Sequence, residues 1–195
     1  GSDMIYRLTK EALDAIGGEY EESTKAQSRF DEWYVKLYVK ENIMEGYVDF
    51  YFVFSNAYSL FSIIVDGNKI DNPEELHREF CKALREYLAH LGREDYYEKY
   101  LGAGTSSFSV QKRTNRSVSS GQTNFLVHVE VGRMLHELSG FRLLDFANDY
   151  ITNVFKSEGR EYAYSTELFF DEDYMSKDAA DVTIASPKAA KKTRK

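Results

Sequence analysis

Short alternating stretches fill the first third of the chain, and helical stripes fill most of the remainder. Met4-Ile5-Tyr6-Arg7-Leu8 reads as a short strand. Thr9 is placed to cap a small helix running to Ile16, which Gly17-Gly18 ends. Residues 19–31 are polar and charged and read as a surface loop. Three further strands come next. From Trp33 to Lys40 the residues alternate, with Trp33, Val35, Leu37 and Val39 on one face. Tyr47 to Phe54 is almost continuously apolar or aromatic, broken by Asp49, which suits a central strand covered on both faces. Leu60 to Val65 is the third. The connections at 42–46 and 55–59 are short enough for an antiparallel meander, and Asp66-Gly67-Asn68 supplies turn chemistry.

The clearest helix starts after Asn72, an N-cap succeeded by Pro73 at the first helical position and by Glu74 and Glu75 at the positive end of the dipole. Leu76, Phe80, Leu84, Tyr87, Leu88 and Leu91 form one stripe, and Gly92 ends it. A shorter aromatic helix is expected over 94–101, a small-residue loop over 102–107, and a further strand over Phe108–Lys112. Residues 115–120 read as a polar turn. Helices are expected from Gln122 to Leu138 and from Leu143 to Phe155. From Asp171 the pattern is lost; the chain turns acidic, then Ala-rich, then basic, and 171–195 reads as a disordered tail. The expected architecture is α+β, a mainly antiparallel sheet with helices packed on one face. One domain spans 4–170, and Gly1-Ser2-Asp3 reads as an expression scar before Met4.

Composition adds limits. A chain of 195 residues is long enough for one well-filled core. Its 15 Tyr and 13 Phe mean that much of that core is rings, and the hydroxyls need partners. The single cysteine, Cys81, excludes an internal disulfide framework and suits a reducing cytoplasm. No apolar run reaches the roughly 18–20 residues of a membrane span, and the first residues lack a signal-peptide core. The net charge of −7 repels nucleic acid unless a local basic patch reverses it.

Candidate chemistry is sparse. Lys112, Arg113 and Arg116 stand with Thr114, Asn115 and Ser117 between a strand and a helix. Cations beside helix-start amides hold phosphate or carboxylate groups, but the same short polar residues also serve as caps. Asn56, inside Ser55-Asn56-Ala57-Tyr58-Ser59, either lines a pocket or folds a turn. His77 and Cys81 share one face of a helix, two ligands where zinc takes three or four. His90, His128 and His136 show no spacing with a carboxylate partner. No nucleophile elbow, metal-ligand set or cofactor motif is present. The basic end, from Lys188 to Lys195, suits anionic surfaces or solubility.

These residues also carry a likeness. The chain resembles a family of uncharacterised bacterial domains classed as a domain of unknown function, over roughly Met4 to Phe155. The likeness rests on Leu8-Thr9-Lys10 with Leu13, on Trp33 and Leu37, on Asn56 with Leu60-Phe61-Ser62, and most on Thr114-Asn115-Arg116-Ser117-Val118. The family tends to place His and Asn after the tryptophan, where this chain has Tyr34 and Lys36. It often has an Asn-Asp pair where this chain has Thr123-Asn124. The resemblance implies a compact domain and marks Asn115, Arg116 and Ser117; it implies no activity.

The expectation is therefore a non-enzymatic binding or interaction module for an anionic partner, contacted through Lys112, Arg113, Asn115, Arg116 and Ser117, with Asn56 as a further candidate. An enzyme acting on a nucleotide or nucleic acid, and a structural or oligomeric protein, are the alternatives. No cofactor and no metal are implied. Protein or anionic partners fit better than nucleic acid, and a cytoplasmic location is expected.

Overall fold

A computed structural model describes residues 3–42, 44–102 and 107–179. The strands are β1 (Met4–Leu8), β2 (Glu32–Asn42), β3 (Tyr47–Asn56), β4 (Ser62–Asp66), β5 (Phe108–Lys112), β6 (Ile151–Thr152) and β7 (Ala163–Tyr164). The α-helices are α1 (Lys10–Ala15), α2 (Pro73–His90), α3 (Glu94–Tyr97), α4 (Arg116–Leu135), α5 (Gly140–Asn148), α6 (Ser165–Phe169) and α7 (Glu172–Met175). Five strands form one sheet in the order β4-β3-β2-β1-β5, and β6 pairs with β7. The class is α+β, and the sheet is mixed. The β2–β3–β4 meander is antiparallel, whereas β1 runs parallel to both of its neighbours, β2 and β5.

The helices divide between the two faces instead of gathering on one. On the first face, Tyr6, Trp33 and Phe54 meet Phe80 of α2, with ring centroids 4.5–5.4 Å apart. Trp33 and Tyr34 are consecutive in a strand, so Tyr34 points to the second face. There the Gln122 amide of α4 donates to the carbonyls of Tyr34 and Val53, at 2.8 and 3.0 Å. The buried stripe of α4 is Val118, Gly121, Gln122, Phe125, Val129 and Gly132.

The local signals work where they are self-contained. Thr9 and Asn72 cap α1 and α2 through Ala12 and Glu75, as their positions predict. Elsewhere tertiary packing overrides the pattern. The polar turn expected over 115–120 is the first turn and a half of α4, which starts at Arg116 behind an Asn115 cap. Gly121 sits inside this helix because a Cβ there would collide with Leu60 Cδ1. Leu60 itself is fully buried and held at φ 63°. The helix expected over 143–155 begins and ends earlier, at Gly140–Asn148, and the chain then enters β6. The helix expected over 94–101 is α3 continued by a π-helical turn, Glu98–Gly102. Part of the 102–107 loop lies outside the described residues.

Two segments read as solvent-facing are anchored in the interior. Arg29, Phe30 and Asp31 are buried in a single 3₁₀ turn. The tail expected from Asp171 is folded through Ala179: Tyr174 and Met175 of α7 are at most 1% exposed. Arg29 joins the two, binding both carboxylate oxygens of Glu158, at 2.8 and 3.0 Å, and the Tyr174 carbonyl at 3.1 Å. Residues 180–195, with the basic end, and residues 1–2 lie outside the described residues.

Candidate functional site

The second face of the sheet carries a buried polar row across all five strands. Gln111, Arg7, Tyr34, Ser55 and Ser62 are successive cross-strand neighbours. Each is at most 4% exposed. Buried polar groups must be bonded, and these are. Gln111 exchanges bonds with Thr24, accepting from its amide at 2.9 Å and donating to its hydroxyl at 2.8 Å. The Ser55 and Ser62 hydroxyls are 2.5 Å apart. Asn148 of α5 pairs with both backbone groups of Ser62 at 2.8 Å. Arg7 bonds to Glu32 at 3.1 Å and to the carbonyls of Lys112 and Thr24 at 2.9 Å.

A polar cleft of about 170 Å³ opens over this row. Arg7, Glu32 and Tyr34 line it together with Lys25, Tyr58, Thr114 and Asn115. The two segments singled out in the sequence therefore meet: Ala57 and Tyr58 on one wall, Thr114 and Asn115 on the other. The Tyr58 hydroxyl donates to Glu32 at 3.3 Å. Burial, and then the Glu32 charge, push that phenol far above its ordinary range.

The candidate residues take distinct roles around the cleft. Asn115 caps α4, its side chain accepting from the amides of Ser117 and Val118 at 2.9 and 3.2 Å. Its own amide donates to the Tyr34 hydroxyl at 2.9 Å, which fixes the start of α4 to the sheet. Asn56 is fully buried and folds the β3–β4 turn. It donates to the Arg29 carbonyl at 2.8 Å and accepts from the Tyr58 amide and the Ser59 hydroxyl. Lys112 and Arg116 are exposed, and Ser117 is half-buried.

Arg113 turns inward. Its guanidinium lies over the Tyr34 ring, 5.2 Å from the centroid, and one Nη donates to Gln122. Its Nε is buried with no hydrogen-bond partner, and no ion pair forms at Arg113 among the described residues. Burial lowers this guanidinium to about 10, so it stays charged at neutral pH. Lys36, two residues beyond Tyr34 on the same strand face, is lowered first by burial and then by the Arg113 charge; Glu11 acts in the opposite sense. Two partly desolvated cations thus stand together beside the cleft.

Sequence reasoning missed Arg7, Lys25 and Glu32; it noted Tyr34 only as a departure from the family pattern and Tyr58 only as a member of the 55–59 segment. A signal existed for the first: an arginine inside Met4–Leu8 and a glutamine inside Phe108–Lys112 are out of place in buried strands unless they face each other. One histidine also differs from expectation. His90 has a carboxylate partner, Asp145, whose other oxygen accepts from the Tyr87 hydroxyl, both at 2.8 Å. This trio links α2 to α5. His77 accepts or donates at the buried Tyr6 hydroxyl, 2.6 Å away, and Cys81 lies 3.8 Å from its ring. No cluster of three or more metal-ligating side chains occurs among the described residues. No described helix is long and apolar enough to cross a membrane.

Searches of curated proteins and of solved structures produced no match. The family comparison did: its model spans β1 to α6, including the whole polar row and both walls of the cleft, and over residues 5–168 the chain belongs to the domain family of unknown function DUF6933.

Proposed function

We propose that this domain is a binding module that takes a single anionic group, presented by a larger partner, in the cleft between the β3–β4 turn and the start of α4. The observation that carries this reading is the gathering of positive charge around Tyr34. Arg7 and Lys25 line the cleft with one carboxylate, Glu32. Arg113 and Lys36 flank it, partly desolvated. Lys112 and Arg116 stand exposed on either side of Thr114 and Asn115. This happens on a chain of net charge −7. Like charges held together out of water disfavour the empty state, and an anion relieves that cost.

Size decides between ligand classes. Pockets that enclose whole small molecules measure roughly 300–1,000 Å³, and this cleft is about 170 Å³. It fits a phosphate or carboxylate group and leaves the rest of the ligand outside. That favours an acidic or phosphorylated surface over a free nucleotide. Arg7 already has its bonds filled by Glu32 and two carbonyls, so it supports the floor. Lys25 and Thr114, which line the cleft, supply the reachable contacts, and Arg116 stands exposed next to Asn115 outside the lining, where it adds attraction.

The test is thermal denaturation in inorganic phosphate, sulfate and chloride at equal ionic strength. An anion at 100 times its Kd stabilises by about 2.7 kcal/mol, which raises the Tm of a domain this size by roughly 5–10 °C. Lys25→Ala and Arg116→Ala, both exposed positions, are expected to remove the phosphate-specific rise without lowering the Tm in chloride. A rise that survives both substitutions moves the anion elsewhere and overturns the proposal.

A further inference from the structure

A second cavity, of about 460 Å³, lies between the sheet, α4 and the α4–α5 connection. It is separate from the polar cleft and shares none of its lining residues. Its size falls within the range of pockets that enclose small organic molecules. Ile64, Val129, Leu143 and Leu144 give it apolar walls. Tyr38 and Tyr51, ring centroids 6.1 Å apart, lie across its sheet side.

Its polar groups are few. Arg133 lines the cavity, with one Nη donating to Glu130 at 2.7 Å and with Nε buried and unbonded. Lys40 is a second cation in the lining, and Asp66 is the one carboxylate. Asp66 is already engaged, accepting from the Asn68 amide at 2.9 Å. The N-cap of α5, Ser139, makes no side-chain capping bond, and it too lines the cavity.

We infer that this cavity binds a small organic monoanion, a carboxylate on an aromatic or branched apolar body. The apolar walls and the tyrosine rings take the body, and the accessible part of the Arg133 guanidinium with Lys40 takes the head. A monoanion is implied by the charges: Arg133 and Lys40 give the lining two positive charges and Asp66 one negative, a net of +1, so a dianionic phosphate ester is over-charged for it. A bare inorganic anion leaves the apolar walls unfilled. The site is independent of the phosphate-sized cleft and does not rest on it.

The experiment is calorimetric titration of the purified chain with phenylacetate, phenylacetamide and phenyl phosphate. Phenylacetate is expected to bind more tightly than its neutral amide by about ten-fold or more, the contribution of a charged hydrogen bond, and more tightly than phenyl phosphate. Arg133→Met is expected to erase the preference for acid over amide, and Ile64→Trp, which fills the cavity, to weaken both. Lys25→Ala, at the other site, should leave phenylacetate binding unchanged. If Arg133→Met fails to fold, the acid and amide comparison on the wild-type chain decides alone. Equal affinity for acid and amide, no heat from either at millimolar concentration, or loss of binding in Lys25→Ala overturns the inference.

Discussion

Arg29→Met is the perturbation whose cost the structure specifies most fully. Arg29 is 1% exposed, and its guanidinium binds both Glu158 oxygens and the Tyr174 carbonyl while stacking over the Tyr58 and Tyr174 rings at 5.2 and 4.8 Å. Methionine fills much of the stem's volume, so the loss is chiefly electrostatic. Breaking one side of a buried pair costs about 3–5 kcal/mol, because the remaining charge is stranded. Glu158 keeps 14% of its side chain exposed and rehydrates in part, which places the cost near 3 kcal/mol. At roughly 2–4 °C per kcal/mol for a chain this long, the Tm falls by about 6–12 °C. Urea unfolding monitored by circular dichroism reads the global loss. Trp33 fluorescence reads it locally, because that buried indole donates to the Phe30 carbonyl at 2.8 Å, one residue from Arg29. The double variant Arg29→Met, Glu158→Met removes both charges and is expected to be more stable than Arg29→Met alone. A single-variant loss under about 1 kcal/mol, or a double variant worse than the single, refutes the assignment of a buried, coupled pair.

Other contacts give four further expected outcomes. Gly121→Ala, normally favourable in a helix by about 1 kcal/mol, is expected instead to destabilise by about 1–3 kcal/mol in urea unfolding, because its Cβ meets Leu60 Cδ1. Asn115→Ala is expected to cost about 1 kcal/mol in the same assay, since the amides of Ser117 and Val118 lose their acceptor. Asp171 is held below its ordinary range first by the Tyr174 amide and then by Arg160; its folded pKa lies under its unfolded one. The stability advantage over Asp171→Asn is therefore full above pH about 4 and disappears as pH falls through the lowered value, which parallel melts from pH 7 to pH 2 will show. Lys36→Met removes a half-desolvated cation pushed by Arg113, so it is expected to raise the Tm slightly in chloride while reducing the phosphate-induced shift.

The legible part of the sequence is local. The Asn72-Pro73 start of α2, the Thr9 cap and the alternation in β2 each depend on neighbours within a few residues, and each is found in place. The failures share a cause at long range. The polar turn expected over 115–120 is helix, and the contact with Leu60, sixty-one positions earlier, accounts for the glycine at 121 inside α4. Residues 171–179 read as the start of a disordered tail, and partners far away in sequence hold them in: Arg29 on the Tyr174 carbonyl, the Tyr58 carbonyl, which accepts from the Tyr174 hydroxyl, and the Tyr58 hydroxyl, which donates to the Ala179 carbonyl. For the candidate site, the Lys112–Ser117 run is visible as a cluster of cations and caps. Its division into a cap, an inward arginine and two exposed cations is not, because that depends on Tyr34 sitting under Arg113 and Asn115. The parallel pairing of β1 brings Arg7 beside Tyr34 and Gln111, and no local pattern announces a parallel register.

The central claim is that an anionic group sits in the cleft over Arg7 and Tyr34. The most direct measurement is a ¹H–¹⁵N NMR titration of the chain with inorganic phosphate at constant ionic strength. Saturable shifts are expected to concentrate on the backbone amides of Ala57, Tyr58, Thr114, Asn115 and Val118, and on the Arg113 side chain, all weakened together in Lys25→Ala. Shifts that scatter over the lysines and arginines of the whole surface, or amides around the cleft that stay still while others saturate, contradict it.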